Sequence, residues 1–382
     1  MMTKPKKIAI VGAGVAGMAL GILATKQGHQ VSLFERGSNV SYMGAGVTLW
    51  PNAMFVMQKM GLDEKIKHVG GTPCMMRQFD RNGHLQTQFD ILEVNSLCGF
   101  PSVTILRREL MGLLASTLES LGGRITFNCA IGAADVMKLS QEFDLVVGAD
   151  GRMNSVVRQA LYADKVMPRY HGFVNVIGVG RQQEGILNNA IDDFRGQGER
   201  FGIVPVKDGR CYWAGAWNAP VDNERPRAHW YDELHQRFRD WPDPVRNLLL
   251  PCDRESIKGI FVHDIDPLPF WHQDNVLIIG DAAHASLPTS GQGACQALED
   301  AWHLMCLMKE TEDLEIALQG FYQQRHSKTS TAQLVGRQLA KKIFSEQPEP
   351  LLPASTISAT ELSRIWMQVS RYVQETLNEV TA

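Results

Sequence analysis

The run from Lys7 through Ile8, Ala9, Ile10, Val11, Gly12, Ala13, Gly14, Val15, Ala16 and Gly17 constrains this chain more than any other stretch. Ile8 to Val11 reads as a buried parallel strand, and the residues after Gly17 read as a helix. The three glycines between them have separate tasks. Gly12 allows a tight turn, Gly14 lets a pyrophosphate reach the backbone, and Gly17 lets helix and strand pack closely. Val15 and Ala16 open the helix, where free N–H groups and the dipole favour phosphate. A second strand, Val31 to Phe34, runs into Glu35 and Arg36, and Glu35 can accept hydrogen bonds from ribose hydroxyls. The unit predicts dinucleotide binding and leaves NAD and FAD both open.

Two later segments bear on that choice. Phe143 to Gly148 is an apolar strand that runs into the polar turn Ala149-Asp150-Gly151-Arg152, with Ser155 and Arg158 opening a helix. Asn275 to Ile279 is another buried strand, ending in Gly280-Asp281. An acid at the carboxyl end of a parallel strand points into the crevice where ligands of open α/β sheets bind. Asp281 there can hold polyol hydroxyls such as a ribityl chain; capping of the helix that starts at Ala282 is the alternative.

Composition narrows the class without naming it. The 382 residues suggest two or three domains. With 44% hydrophobic and 21% charged residues and a net charge of −3, the chain offers no electrostatic footprint for nucleic acid or an acidic membrane. No apolar run approaches the roughly 20 residues of a membrane helix. Seven cysteines without a C-x-x-C pair argue against a disulfide framework or a metal ribbon. The glycine fingerprint explains the apolar run after Lys7 better than a secretory signal does, so a cytoplasmic enzyme is expected.

Together, Gly12/Gly14/Gly17, Asp144 to Gly151, and Gly280 to His284 continuing through Pro288, Gly291, Gln292 and Gly293 resemble the single-component FAD-dependent aromatic hydroxylases, the group A flavoprotein monooxygenases. The resemblance covers about the first 325 residues. Gly44 to Ala53, with Gly46 and Val47, is similar to the family's loop beside the flavin ring, and Arg107 sits where the family places an arginine on FAD. The resemblance implies non-covalent FAD, reduction by NADH or NADPH bound transiently, and oxygen delivery through a flavin C4a-hydroperoxide to an electron-rich aromatic or heteroaromatic substrate. It also implies that the loop Pro288 to Ala294 and the helix after it carry the oxygen chemistry. His284 within that turn is expected to be structural.

The fold expected is α/β: a Rossmann-like, doubly wound parallel sheet for FAD, an inserted and mostly antiparallel sheet for the substrate, and C-terminal helices. The FAD-binding part is placed at residues 1–72, 98–164 and 265–325, the substrate part at 73–97 and 165–264, and a helical segment at 326–382. Between Arg124 and Asp144 the span is short, so a hairpin usual in the family is expected to be trimmed. Lys207-Asp208-Gly209 reads as a three-residue hairpin loop with Gly209 left-handed, which puts Arg200 and Tyr212 on one face. The stretch around Arg200 and Tyr212 is similar to the FAD-dependent urate hydroxylases, whose matching arginine and tyrosine lie at the substrate site. A surface cation is the alternative for Arg200, and core packing for Tyr212 and Trp213. Thr360 to Val380 has the spacing of an amphipathic helix that docks on the protein body or on a dimer partner. The chain is expected to be a monomer or homodimer. A flavin oxidoreductase without oxygen insertion and a non-catalytic redox sensor are the alternative functions; a flavin halogenase is disfavoured, because Trp213 and Trp217 lack the W-x-W spacing.

Overall fold

The computed structural model describes residues 4–40, 45–163, 165–181, 189–345 and 357–367. The chain starts with strand β1 (Lys7–Val11), helix α1 (Val15–Lys26) and strand β2 (Gln30–Phe34). Next come β3 (Gly46–Leu49), α2 (Pro51–Met60) and α3 (Asp63–Val69), then β4 (Met75–Asp80), β5 (Leu85–Asp90) and α4 (Ile91–Cys98). The chain returns through β6 (Val103–Leu106), α5 (Arg107–Ser120), β7 (Ile125–Thr126), α6 (Ala133–Glu142), β8 (Leu145–Gly148) and α7 (Val156–Tyr162). Four long strands follow: β9 (Arg169–Arg181), β10 (Ala190–Arg195), β11 (Glu199–Pro205) and β12 (Arg210–Asn218). Helices α8 (Arg227–Phe238) and α9 (Asp243–Leu249) lead to β13 (Lys258–Asp264), β14 (His272–Gln273), β15 (Val276–Ile278) and α10 (Asp281–His284). Helices α11 (Gly293–Glu310), α12 (Leu314–Phe344) and α13 (Ala359–Met367) complete the described chain.

One sheet runs β14-β15-β8-β1-β2-β7, parallel throughout except for the edge strand β14. β1, β8 and β15 are buried on both faces, as parallel strands covered by helices must be. The carboxyl ends of β1, β2, β8 and β15 deliver Gly12, Glu35, Ala149 and Gly280 to one edge of the sheet. The second sheet runs β13-β9-β12-β11-β10-β4-β5 and is antiparallel except where β10 meets β4. Its strands β4 and β5 come from residues 75–90 and the other five from 169–264, so a short early hairpin joins a sheet formed mostly much later in the chain. β3 and β6 form a small antiparallel ribbon.

One expected boundary falls elsewhere. The division at residue 325 falls inside α12, which continues for 31 residues because its buried stripe runs unbroken through Phe321, Arg325, Thr329, Gln333, Gly336 and Ala340. Between Arg124 and Asp144 the chain forms only the two-residue β7 and then α6, a helix where the family's usual hairpin was expected to be reduced. The amphipathic helix expected from Thr360 is described up to Met367, and its continuation lies outside the described residues, as does Gly44. No helix among the described residues is long and apolar enough to cross a membrane.

Candidate active site

The fingerprint turn is held by steric necessity. Gly12 has φ +105°, and a Cβ there would stand 2.5 Å from the Ala149 carbonyl oxygen; one at Gly17 would stand 2.0 Å from the Gly12 oxygen. Gly14 caps α1 with no side-chain bond, leaving the first-turn N–H groups, with those of Val15 and Ala16, toward the crevice side of the sheet. Glu35 braces this turn: one carboxylate oxygen accepts from the Ala13 N–H at 2.9 Å and the other from the Gly37 N–H at 2.8 Å. Each oxygen keeps a second lone pair for a hydroxyl. Arg36 is exposed.

Across the crevice, Gly280 (φ 59°) donates its N–H to Asp300 at 2.8 Å and presents Asp281. Asp281 sits in the first turn of α10, whose cap is Gly280 without a side-chain bond, so the capping role does not occupy it. Its carboxylate is 38% exposed and lies 3.5 Å from Arg152. Arg107, the first residue of α5, ties its N–H to Ala45 at 3.2 Å beside the start of β3, near Gly46 and Val47. Its side-chain Nε is buried and has no partner. Burial pulls the guanidinium below its ordinary pKa, opposed by the Asp281 carboxylate. A buried guanidinium with an orphaned donor, a half-exposed carboxylate and a bare glycine turn are the donor and acceptor set that FAD requires, so these residues fit it.

Asp150 lies in the turn between β8 and α7, and Arg158 in the first turn of α7. Asp150 accepts from Ser155 Oγ and the Val156 N–H, both at 2.6 Å, and so holds the start of α7. Arg158 is 2% exposed and donates to the carbonyls of Ala282 at 3.0 Å and Arg152 at 2.6 Å. Asp150 is thereby tied to Ser155 and the α7 backbone, Arg158 keeps a buried Nε with no partner, and Gly151 (φ 84°) is the open turn between them.

The loop before α11 is a 3-10 turn, Pro288–Ser290, followed by Gly291 at φ 64° and Gln292 as the helix cap, with Gly293 and Ala294 in the first turn. Pro288 is exposed. The Gly291 carbonyl accepts from the Trp50 indole at 3.0 Å, and Gln292 Oε1 from Asn52 at 3.1 Å, while the Gln292 Nε2 has no partner. Below the loop lies a charge cluster that the sequence reading missed. Arg325 donates to Asp300 at 2.9 Å and also pairs with Glu299, Lys328 reaches Glu299 at 2.8 Å, and His284 meets Asp300 at 2.5 Å. His284 is 5% exposed, in keeping with the structural role expected of it.

The hairpin loop is Lys207-Asp208-Gly209, with Gly209 at φ 67°. The register pairs Arg200 with Ala216 and Val204 with Tyr212, so Arg200, Gly202, Val204, Tyr212, Ala214 and Ala216 share one face. Trp213 and Trp217 lie on the other face, fully buried against α8 and α9. The structure does not bring Arg200 and Tyr212 together: four residues along a strand separate them by about 13 Å. Arg200 bonds Asp193, which Arg195 also holds at 2.8 Å and which is 1% exposed. The Tyr212 hydroxyl is 3.0 Å from Thr48 Oγ1, and its ring fills the space above Gly46, where a Cβ would come within 2.0 Å. Tyr212 thus clamps β3 to the antiparallel sheet.

Among the described residues no group of His, Cys, Asp or Glu side chains could hold a metal ion. The family model for the FAD binding domain matches residues 6–313. The aurachin C monooxygenase/isomerase of Stigmatella aurantiaca is 32% identical over 80% of this chain and 81% of its own length. The FAD-dependent urate hydroxylase of Klebsiella pneumoniae is 28% identical over 84% and 85% of the two chains. Among solved structures, Klebsiella pneumoniae HpxO complexed with FAD and uric acid superposes with a TM-score of 0.78 at 23% identity, over 97% and 96% of the two chains. The tetrameric 2-methyl-3-hydroxypyridine-5-carboxylic acid oxygenase gives 0.76 at 21% identity, over 95% and 96%. The chain belongs to the FAD binding domain family, as an FAD-dependent monooxygenase of the aromatic-hydroxylase type.

Proposed function

We propose that this enzyme hydroxylates a planar aromatic or heteroaromatic small molecule, with NADH or NADPH as reductant and dioxygen as co-substrate. One oxygen atom enters the substrate, the other leaves as water, and the nicotinamide supplies two electrons. FAD, held by Gly12, Gly14, Glu35, Arg107 and Asp281, would supply the electron storage and oxygen activation. In this reading residues 1–72, 98–164 and the chain from 265 into α12 form the FAD-holding part, and 73–97 with 165–264 the substrate part.

The chain's own groups divide the work. Gly12, Gly14, Val15, Ala16 and Gly17 offer backbone N–H groups to phosphate. Glu35 takes ribose hydroxyls, Asp281 the ribityl chain, and Arg107 the polar edge nearest β3. The first-turn N–H groups of α11, at Gly293 and Ala294, face the developing negative charge of reduction. Pro288, Gly291 and Gln292 shape the loop without crowding that charge. Arg200 holds an anionic or carbonyl edge of the substrate, while Tyr212 positions β3 through Thr48.

The observation that carries this reading is that the sheet face bearing Arg200 and Tyr212 meets β3 through Tyr212, beside Ala45, which accepts from the N–H of the orphaned Arg107. The purified yellow protein should be screened for NADH and NADPH oxidation with urate, 6-hydroxynicotinate, hydroxyquinolones and phenolic acids. A compound that accelerates oxidation and gains one oxygen atom is the expected result. Bound FAD that no nicotinamide reduces would overturn it.

A further inference from the structure

Most glycines in the antiparallel sheet have a visible reason to be glycine. A Cβ at Gly178 would meet the Trp213 ring at 2.3 Å, one at Gly215 the Leu234 side chain at 2.8 Å, and one at Gly259 the Trp230 ring at 2.4 Å. All three lie on the face packed beneath α8 and α9. Gly172 has a left-handed φ of 79°. Gly202 has neither reason. It lies in the middle of β11, its φ is not left-handed, and among the described residues the nearest atom to a Cβ there is Arg200 Nη2, at 3.8 Å.

Glycine in a strand interior weakens the strand, and where packing does not demand it the usual cause is close approach of a ligand or another backbone. The surroundings favour a flat ligand. Gly202 pairs with Ala214 on one side, so two adjacent half-buried positions carry at most a methyl group, while Ala216, next on the same face, is buried and ends the open surface. On the other side Gly202 pairs with Asp193, the buried carboxylate that holds Arg200 by Nε. The guanidinium therefore stands at the rim with Nη2 over the bare backbone. The far end is closed by Val204 and by Tyr212, whose contact with Gly46 shows that this face looks toward β3.

We infer that Gly202 is a specificity-determining residue: its bare backbone, with Ala214 beside it, is the floor on which the substrate's planar ring lies, with Arg200 at the rim reading an anionic or carbonyl edge. The inference rests on the hydroxylase reading for its ligand, but the open floor can be tested without it.

The FAD-loaded Gly202→Cys variant is treated with benzyl methanethiosulfonate, which releases methanesulfinate and leaves a benzylthio group joined by a disulfide to the introduced thiol. Peptide mass spectrometry separates this thiol from the seven native cysteines, and the wild-type protein is the control. Labelling of the folded holoprotein is expected, together with protection by whichever screened compound accelerates NAD(P)H oxidation. Labelling only after denaturation would overturn the inference. In parallel, Gly202→Val is expected to raise KM for that compound at least tenfold while FAD content and melting temperature hold. A KM within twofold of wild type in a folded, FAD-loaded Gly202→Val protein would also overturn it. If no compound accelerates oxidation, the hydroxylase reading fails, and the labelling result still decides whether the floor is open to a ring.

Discussion

At the scale of single residues, Asp281 and Gly46 separate holding the cofactor from shaping the site. Asp281 is not used as a helix cap and lies 3.5 Å from Arg152. Removing a charged acceptor from a ligand costs about 1.5–3 kcal/mol, so Asp281→Ala is expected to weaken FAD binding by roughly tenfold to a hundredfold. Reconstitution of apoprotein followed by flavin fluorescence reads this directly; undiminished affinity would remove Asp281 from the cofactor site. Gly46 tests the clamp. An added methyl group would fall 2.0 Å from the Tyr212 ring, and overpacking of this kind costs about 1–3 kcal/mol. The penalty of Gly46→Ala should shrink when Tyr212→Ala is present, because the clash partner has gone. Additive penalties in urea unfolding would show that the two side chains do not meet.

At the scale of elements, α13 is tied to the oxygen-side loop through Trp366. Its ring lies 4.6 Å from Trp50 between centroids, its carbonyl accepts from Lys328 at 2.6 Å, and Trp50 in turn bonds the Gly291 carbonyl at 3.0 Å. Trp366→Ala is expected to cost about 3 kcal/mol in urea unfolding, the usual range for a buried indole, with most of it restored by Trp366→Phe. A change of a few tenths would mean that α13 contributes little to the body. The elements also show what sequence can reveal. The glycine fingerprint and the hairpin were legible because each rests on local rules: a turn that excludes a Cβ, and a loop length that fixes strand parity. The face shared by Arg200 and Tyr212 followed from that parity, but their partners did not, since Asp193 and Gly46 arrive from other strands. The length of α12 was missed for a related reason. Arg325, Thr329 and Gln333 look like a solvated face, yet each is at most 1% exposed, because Arg325 meets charges on α11 and Gln333 donates to the Ile265 carbonyl. The continuous helix was visible only in the absence of a breaker before Pro348.

At the scale of the whole molecule, the buried polar cluster between α11 and α12 makes stability depend on acidity. Burial lowers the pKa of His303 to about 3, and Arg325 adds to the effect, so the ring is neutral in the folded protein. His29 and His326 are lowered in the same direction by burial. Asp300 is different: burial would raise it, but His284 and Arg325 outweigh that and hold it down at about 2. The signs agree for both residue types. A depressed folded pKa contributes stability that is complete above the unfolded value and is lost as pH falls toward the folded value. For His303 the window therefore opens near 6.5 and extends to about 3, whereas for Asp300 it lies only between about 4 and about 2. At about 1.36 kcal/mol per pH unit, His303 alone removes about 2 kcal/mol by pH 5, before Asp300 contributes, while Asp150 and Asp192, raised by burial, act in the opposite direction. The melting temperature should accordingly fall from pH 7 to pH 5, a range in which Asp300 is silent. His303→Leu changes the absolute stability through lost contacts, so the slope is the informative quantity. A shallower fall between pH 6.5 and 5 in His303→Leu identifies the buried imidazole as a source of acid sensitivity; an unchanged slope assigns it to the other histidines.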